Sequence, residues 1–201
     1  MGKLTVVLFD LGNVLAFIDF NNFWRSLGFQ HPEEIAPFAD GYNSWTHRYE
    51  NGFISTSEYL AGLNSVFSGR FHKYQLQEAF ENIILEPVDG MMDIVKSVSC
   101  THRTGLVSNT NEIHYKKSLA KFDVLPLLPA HYLSYRMHVM KPVREFYDKI
   151  IKDEKVDPSH ILFIDDLSTN IEGALDAGMQ AIRFENRVQL QEALKTRQVL
   201  L

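Results

Sequence analysis

The sequence predicts a doubly wound α/β fold, a parallel sheet covered by helices on both faces, with a small helical segment inserted after the first strand. Three observations carry this expectation. The apolar run Leu4 to Phe9 stops at Asp10 and is broken by Leu11-Gly12-Asn13, residues from about Ala16 to Leu85 show helical spacing and no convincing strand, and after Pro87 strand-like and helix-like segments alternate. Alternation at these lengths means parallel strands joined by crossover helices.

The elements follow in order. Leu4 to Phe9 is β-branched and aromatic, as a buried strand leaving the sheet at Asp10 would be. In the insertion, Ser55-Thr56-Ser57-Glu58 is spaced as a capping box ahead of the apolar positions Tyr59, Leu60 and Leu63. Beyond Pro87 the pattern gives a helix from about Val88 to Val98, a strand Thr104 to Ser108, a helix Glu112 to Phe122 and a short strand His131 to Ser134. Then come a helix opened by Pro142 near its first turn, a strand Ile161 to Ile164 and a helix Thr169 to Ala177 closed by Gly178. A strand Gln180 to Phe184 and a last helix near Val188 to Leu194 complete the series.

Bulk properties exclude several classes. At 201 residues, 45% hydrophobic and 22% charged, the chain is long enough to bury a core and shows neither a disordered nor a coiled-coil composition. A net charge of -5 offers nucleic acid no electrostatic footprint. No apolar run approaches the ~18 residues of a membrane span, and no signal-like stretch is present, so the cytoplasm is the expected location. The single Cys100 makes no internal disulfide and is expected to pack as a small apolar residue.

Ligands of open parallel sheets bind beyond the carboxyl ends of the strands, so the residues there carry the chemistry. The first strand ends in Asp10, the second in Ser108-Asn109-Thr110, and Ile161 to Ile164 runs into Asp165-Asp166, with Lys141-Pro142 between them in sequence. Each close pair of carboxylates costs roughly 4 kcal/mol at about 4 Å and an effective dielectric near 20, more than one lysine offsets. A divalent cation does offset it, and an oxygen-only, carboxylate-rich site suits Mg2+. Asp10 is then a candidate nucleophile toward phosphorus, with Lys141 and Ser108 countering the charge of the phosphoryl group and exposed backbone N–H groups taking its remaining oxygens.

The segments Phe9-Asp10-Leu11-Gly12-Asn13-Val14-Leu15, Leu106-Val107-Ser108-Asn109-Thr110-Asn111, Met140-Lys141-Pro142 and Phe163-Ile164-Asp165-Asp166 with Asn170 resemble, in order and spacing, the four motifs of the haloacid dehalogenase (HAD) superfamily. The position of the insertion resembles that superfamily's small helical cap class. The motif variants, together with Tyr49-Glu50-Asn51-Gly52, look most like the branch of bacterial sugar-phosphate phosphatases such as α-glucose-1-phosphate phosphatase. The resemblance implies a Rossmann-like core over residues 1–15 and 86–201 and a cap over 16–85. It implies Asp10 as nucleophile and metal ligand, the backbone carbonyl of Gly12 and the carboxylate of Asp166 as further Mg2+ ligands, and Asp165 acting on the metal through water. Ser108, Asn109 and Lys141 would hold the phosphoryl group, and Asn170 would tie down the loop presenting Asp166.

One departure matters. Most members carry a second Asp two residues after the nucleophile as general acid and base, and here that residue is Gly12. Acid-base assistance is worth about 10² to 10⁴ in rate. His138 also stands where relatives often have Gly ahead of the motif lysine. In the cap, Phe23, Trp24, Tyr42, Trp45 and Tyr59 read as its own core, His47 and Arg48 as residues able to reach a hydroxyl or second anionic group of a substrate, and Asp19 as a helix cap. The leading function is Mg2+-dependent hydrolysis of a small phosphorylated metabolite, a sugar phosphate first among them. The alternatives are 2-haloacid dehalogenation, which needs no metal, and a catalytically weak binding protein, prompted by Gly12.

Overall fold

The computed structural model describes residues 4–200 and contains a five-stranded, all-parallel sheet with a helical insert after the first strand. Strand β1 (Val6–Phe9) is its centre, and every one of its side chains is buried. The chain then turns into β2 (Ala16–Ile18) and the helices α1 (Asn21–Ser26), α2 (Pro32–Glu50), α3 (Thr56–Val66) and α4 (Lys73–Glu81), returning through β3 (Ile84–Pro87). Next come α5 (Met91–Ser99), β4 (Arg103–Ser108), α6 (Glu112–Lys121), β5 (Ala130–Leu133) and the short α7 (Ser134–Met137). The series ends with α8 (Arg144–Glu154), β6 (Ile161–Asp165), α9 (Ser168–Asp176), β7 (Gln180–Arg183) and α10 (Arg187–Thr196).

The sheet order is β5-β4-β1-β6-β7, so β1 pairs with β4 on one side, Phe9 opposite Leu106, and with β6 on the other, Phe9 opposite Ile164. Alternation along β1 divides the core as a pleated strand must. Val7 and Phe9 pack with Ile94, Val95 and Val98 of α5 and Leu190 and Leu194 of α10, whereas Val6 and Leu8 pack with Phe146, Tyr147 and Ile150 of α8 and Ala174 of α9. Both faces are therefore covered. A continuous apolar strand, rather than an alternating one, is what two covered faces demand.

The insert has an apolar centre of its own. Phe23 and Trp24 from α1, Tyr42 and Tyr49 from α2, Tyr59 and Leu63 from α3, and Leu76 and Phe80 from α4 share one buried cluster, as the aromatic-rich spacing predicts. Tyr49 and Tyr59 stack with centroids 4.4 Å apart, and Phe23 lies 4.7 Å from Tyr42. Trp45, partly buried, presses on α3 at Gly62, where a Cβ would stand 2.3 Å from the indole. The predicted capping box forms: Ser55 Oγ accepts from Glu58 N, and the Glu58 carboxylate accepts from Ser55 N.

Four contacts seat the insert on the core. Tyr49 OH accepts from Ile113 N, Ser134 Oγ donates to Glu50 O at 2.7 Å, and His114 Nε2 donates to Phe80 O at 2.9 Å. His138, which the sequence left without a role, takes the left-handed conformation (φ 57°), donates from Nδ1 to Asn51 O at 3.1 Å and lies parallel to the Phe53 ring. Gly52 is required at this seam, because a Cβ there would fall 1.9 Å from Tyr135 O.

Three expectations need correction. The segment 16–85 is not free of strands, because β2 and β3 pair antiparallel as a two-stranded ribbon with a register irregularity between Ala16 and Ile18. Three and four residues leave too little alternation to read, the partner is far along the chain, and Pro87 looks like a breaker although a ribbon edge tolerates it. Cys100 is exposed rather than packed, its thiol donating to Lys96 O, because the buried stripe of α5 is Met91, Ile94, Val95 and Val98 and Cys100 lies off it. Pro142 does not open α8: the extended Val143 caps that helix, which begins at Arg144.

Phe80 is fully buried against Phe23, Tyr49, Tyr59 and His114. Phe80→Ala is expected to cost about 3–5 kcal/mol, measured as a fall in the urea midpoint. A loss below about 1 kcal/mol would mean that this cluster does not hold the insert together.

Candidate active site

Three neighbouring strands deliver their last residues to one point. Asp10 follows β1 with its N–H bonded to Ile164 O at 2.9 Å, Ser108 ends β4, and Asp165 ends β6. Asp10, Ser108 and Asp165 are all buried, and the side chain of Lys141 reaches them from the loop before α8. The Lys141 ammonium donates to Asp10 Oδ1 at 2.8 Å, Asp165 Oδ2 at 2.7 Å and Val107 O at 3.3 Å, so its three hydrogens have three acceptors. Burial works against this ammonium, yet the two carboxylates outweigh it and raise its pKa above the usual lysine value.

The carboxyls differ in their support. Asp165 is completely enclosed: Oδ1 accepts from Leu167 N at 2.9 Å, and the Asn170 amide donates to both oxygens at 3.0 Å. Asn170 therefore ties this loop down through Asp165, the residue directly before Asp166. The reason is helical geometry, since Asn170 lies in the first turn of α9 with its side chain directed back at the strand end. Asp166 is instead held by Asn13, whose Nδ2 donates to Asp166 Oδ2 at 3.2 Å while its Oδ1 accepts from Ile18 N. Asn13 occupies the left-handed region (φ 54°), which a short amide side chain tolerates.

The charge balance is uneven. Asp10, Asp165 and Asp166 each offer an oxygen within 4.8 Å of the others, and the Lys141 ammonium bonds Asp10 and Asp165. Burial pushes the Asp10 carboxyl up to about 7 against the pull of Lys141, and repulsion from Asp165 adds to the rise. Asp166 is raised too, mainly by burial, with the Asn13 hydrogen bond opposing and Asp165 reinforcing it. Hard oxygens converging with excess negative charge are a donor set that fits Mg2+.

The remaining predicted residues fall as follows. Ser108 Oγ makes only a long contact with Asn109 O at 3.4 Å, leaving the hydroxyl available. The Asn109 side chain faces away from that role, since its amide bonds the backbone of Lys141 in both directions, Nδ2 to Lys141 O at 2.9 Å and Oδ1 from Lys141 N at 2.8 Å. Asn109 thus positions the lysine. Gly12 is walled in, because a Cβ there would stand 2.8 Å from Ile18 Cδ1. His47 lines a cavity between α1 and α2, but Arg48 lies over the Trp45 ring at 4.7 Å and does not line it. Asp19 precedes the N-cap of α1, which is Phe20; its carboxylate accepts from Asn21 N and pairs with Arg25, and these contacts keep its carboxyl below the ordinary range.

A family model for haloacid dehalogenase-like hydrolases matches residues 48–184, two-thirds of the chain including the strand ends at Ser108 and Asp165. The chain belongs to the haloacid dehalogenase-like hydrolase family. Among curated members it is 24% identical to a D-ribitol-5-phosphate phosphatase of Bacteroides thetaiotaomicron over 94% of this chain and 95% of the relative. A HAD family enzyme from the same organism, solved in complex with magnesium and inorganic phosphate, superposes with a TM-score of 0.79 at 26% identity, covering 92% of this chain and 96% of that one. The L-2-haloacid dehalogenase of Xanthobacter autotrophicus shares the fold at a TM-score of 0.65 and 15% identity, covering 99% of this chain and 85% of that one. The HAD fold here is the one the four motifs predicted.

Because Asp10 titrates near 7 when folded and near 3.8 as a free side chain, the folded protein retains a proton between those values that the unfolded chain has lost. Its contribution to stability therefore falls as pH rises through that window. In EDTA, Asp10→Asn should gain stability relative to the wild type between pH 5 and pH 8 by on the order of 2–4 kcal/mol in urea melts. A difference independent of pH would contradict the uncompensated charge.

Proposed function

We propose that the protein is a Mg2+-dependent phosphomonoesterase acting on a small phosphorylated metabolite, a sugar or polyol phosphate, through an aspartyl-phosphate on Asp10. The observation that carries this reading is the Asp10, Asp165 and Asp166 cluster around a single buried ammonium. Support comes from the relatives, one named a D-ribitol-5-phosphate phosphatase and one solved with magnesium and phosphate. Asp10, the carbonyl of Gly12 and Asp166 would hold the metal, with Asp165 behind them. When bound, Mg2+ neutralises the carboxylates and the phosphoryl oxygens.

Asp10 attacks phosphorus, and the ester P–O bond breaks as the new bond to Asp10 forms. The departing alkoxide takes a proton from water, since residue 12 has no side chain to supply one and Ile18 fills that space. Water then attacks the phosphorus of the aspartyl-phosphate, releasing inorganic phosphate and restoring the Asp10 carboxylate. Lys141, held on its backbone by Asn109, stabilises the charge of the transferring group, and the Ser108 hydroxyl donates to one of its oxygens. Backbone N–H groups of the loop after β4 take another oxygen.

Residues 16–85 would act as a cap that opens and closes over this site, with the β2–β3 ribbon as the hinge. No described helix is long and apolar enough to cross a membrane.

Against a panel of sugar and polyol phosphates, phosphate release is expected to require Mg2+, to stop with EDTA, and to fall by roughly three orders of magnitude or more in Asp10→Asn. Turnover surviving that substitution would overturn the covalent route. Chloride release from 2-chloropropionate in EDTA would favour dehalogenation, and Mg2+ and phosphate binding without turnover would favour a binding role.

A further inference from the structure

Each carboxylate of the cluster enters the site with an oxygen already engaged. Lys141 donates to Asp10 Oδ1, Lys141 and Asn170 donate to Asp165 Oδ2, Leu167 N and Asn170 donate to Asp165 Oδ1, and Asn13 donates to Asp166 Oδ2. Both oxygens of Asp165 are therefore taken, whereas Asp10 and Asp166 each keep one outside these bonds. A cation held by that pair would meet a single oxygen from each carboxylate.

The Asn13 amide is fixed in the sense that matters. The Ile18 N–H, in β2, can only donate, so Oδ1 faces it at 3.3 Å, and Nδ2 is thereby aimed at Asp166 Oδ2 at 3.2 Å. The backbone holds the same pose, since Asn13 N donates to Ala16 O at 2.7 Å and the residue sits in the left-handed region at φ 54°. Glycine would meet that φ at least as well, so the conformation alone does not call for an amide.

We propose that Asn13 is a positioning residue that selects Mg2+ over Ca2+, by tying one oxygen of Asp166 and presenting the carboxylate through the other. The assignment rests on the reading of Asp10, the Gly12 carbonyl and Asp166 as the ligands of a cation, and deepens it. Mg2+ takes oxygens at about 2.0–2.1 Å in a near-octahedral shell and retains waters, a demand that single carboxylate oxygens meet. Ca2+ takes roughly six to eight oxygens at about 2.3–2.6 Å and gains from carboxylates that offer both of theirs, which the Asn13 bond denies it at Asp166. Without that bond Asp166 is free to turn both oxygens inward, and Ca2+ gains more from this than Mg2+ does.

The test is calorimetric titration of the substrate-free protein with Mg2+ and, separately, with Ca2+, comparing the wild type with Asn13→Gly and Asn13→Asp. Glycine suits a φ of 54°, so Asn13→Gly should stay folded, as urea melts in EDTA will show. The wild type should bind Mg2+ at least as tightly as Ca2+, and the ratio of the Ca2+ Kd to the Mg2+ Kd should fall by about tenfold or more in Asn13→Gly. Asn13→Asp keeps an acceptor for Ile18 N and cannot donate to Asp166, so the ratio should fall in it as well. General loosening of the site would weaken both ions together and leave the ratio where it was. A ratio unchanged in Asn13→Gly while the wild type binds Mg2+, or one held at the wild-type value by Asn13→Asp, overturns the role of Asn13 at Asp166, as does a wild type that prefers Ca2+. A wild type that binds neither ion overturns the cation site itself and this assignment with it.

Discussion

The arrangement of the core depends on one buried ammonium. Lys141 stands between Asp10 and Asp165 at 2.8 and 2.7 Å, away from solvent, and each carboxylate would be an uncompensated buried charge without it. Its backbone is pinned by Asn109, whose amide spans the Lys141 N–H and carbonyl, so the loop after β4 and the loop before α8 are locked together. Asn170 and the Leu167 N–H then fix the far side of Asp165, and the Tyr147 hydroxyl fixes Asn170 by its carbonyl. The strand ends of β1, β4 and β6 converge on a point that the sheet alone would leave electrostatically unfavourable.

That same point explains the chemistry proposed for it. One ammonium suffices to hold two carboxylates in place, but Asp166 joins them within 4.8 Å, held by an amide from Asn13. Burial above all, with repulsion from Asp165 added and Lys141 opposing, raises the Asp10 carboxyl to about 7. A site left in this state is poised to take a divalent cation and a substrate together, and the insert docks so that its polar end, from Glu50 to His138's partner Asn51, borders the same loops. The absence of a side chain at Gly12 is structural as well as chemical, since Ile18 of the β2–β3 ribbon fills that space.

Much of this was legible in the sequence because strand ends are the one place where an apolar run gives way to a carboxylate. Asp10, Ser108, Asp165 and Asp166 each follow such a run, and the structure places them with Lys141 at one site. What escaped reading depends on contacts distant in sequence. The β2–β3 ribbon is too short to show a period, and its pairing of Ile18 with Ile84 has no local signature. Asn13 and Asn170 were visible within motifs, but which carboxylate each serves depends on a left-handed turn in one case and a helix's first turn in the other. Asn109 was read as a phosphate contact and proves to position Lys141.

The central claim is that Asp10 becomes covalently phosphorylated during turnover. An acyl phosphate is reduced by borohydride to the alcohol, so enzyme quenched during steady-state hydrolysis in Mg2+ and treated with borohydride should yield a tryptic peptide carrying homoserine at position 10. The account predicts that product only when substrate and Mg2+ are both present. Unmodified Asp10 in every quenched sample, while phosphate is being released, would contradict it.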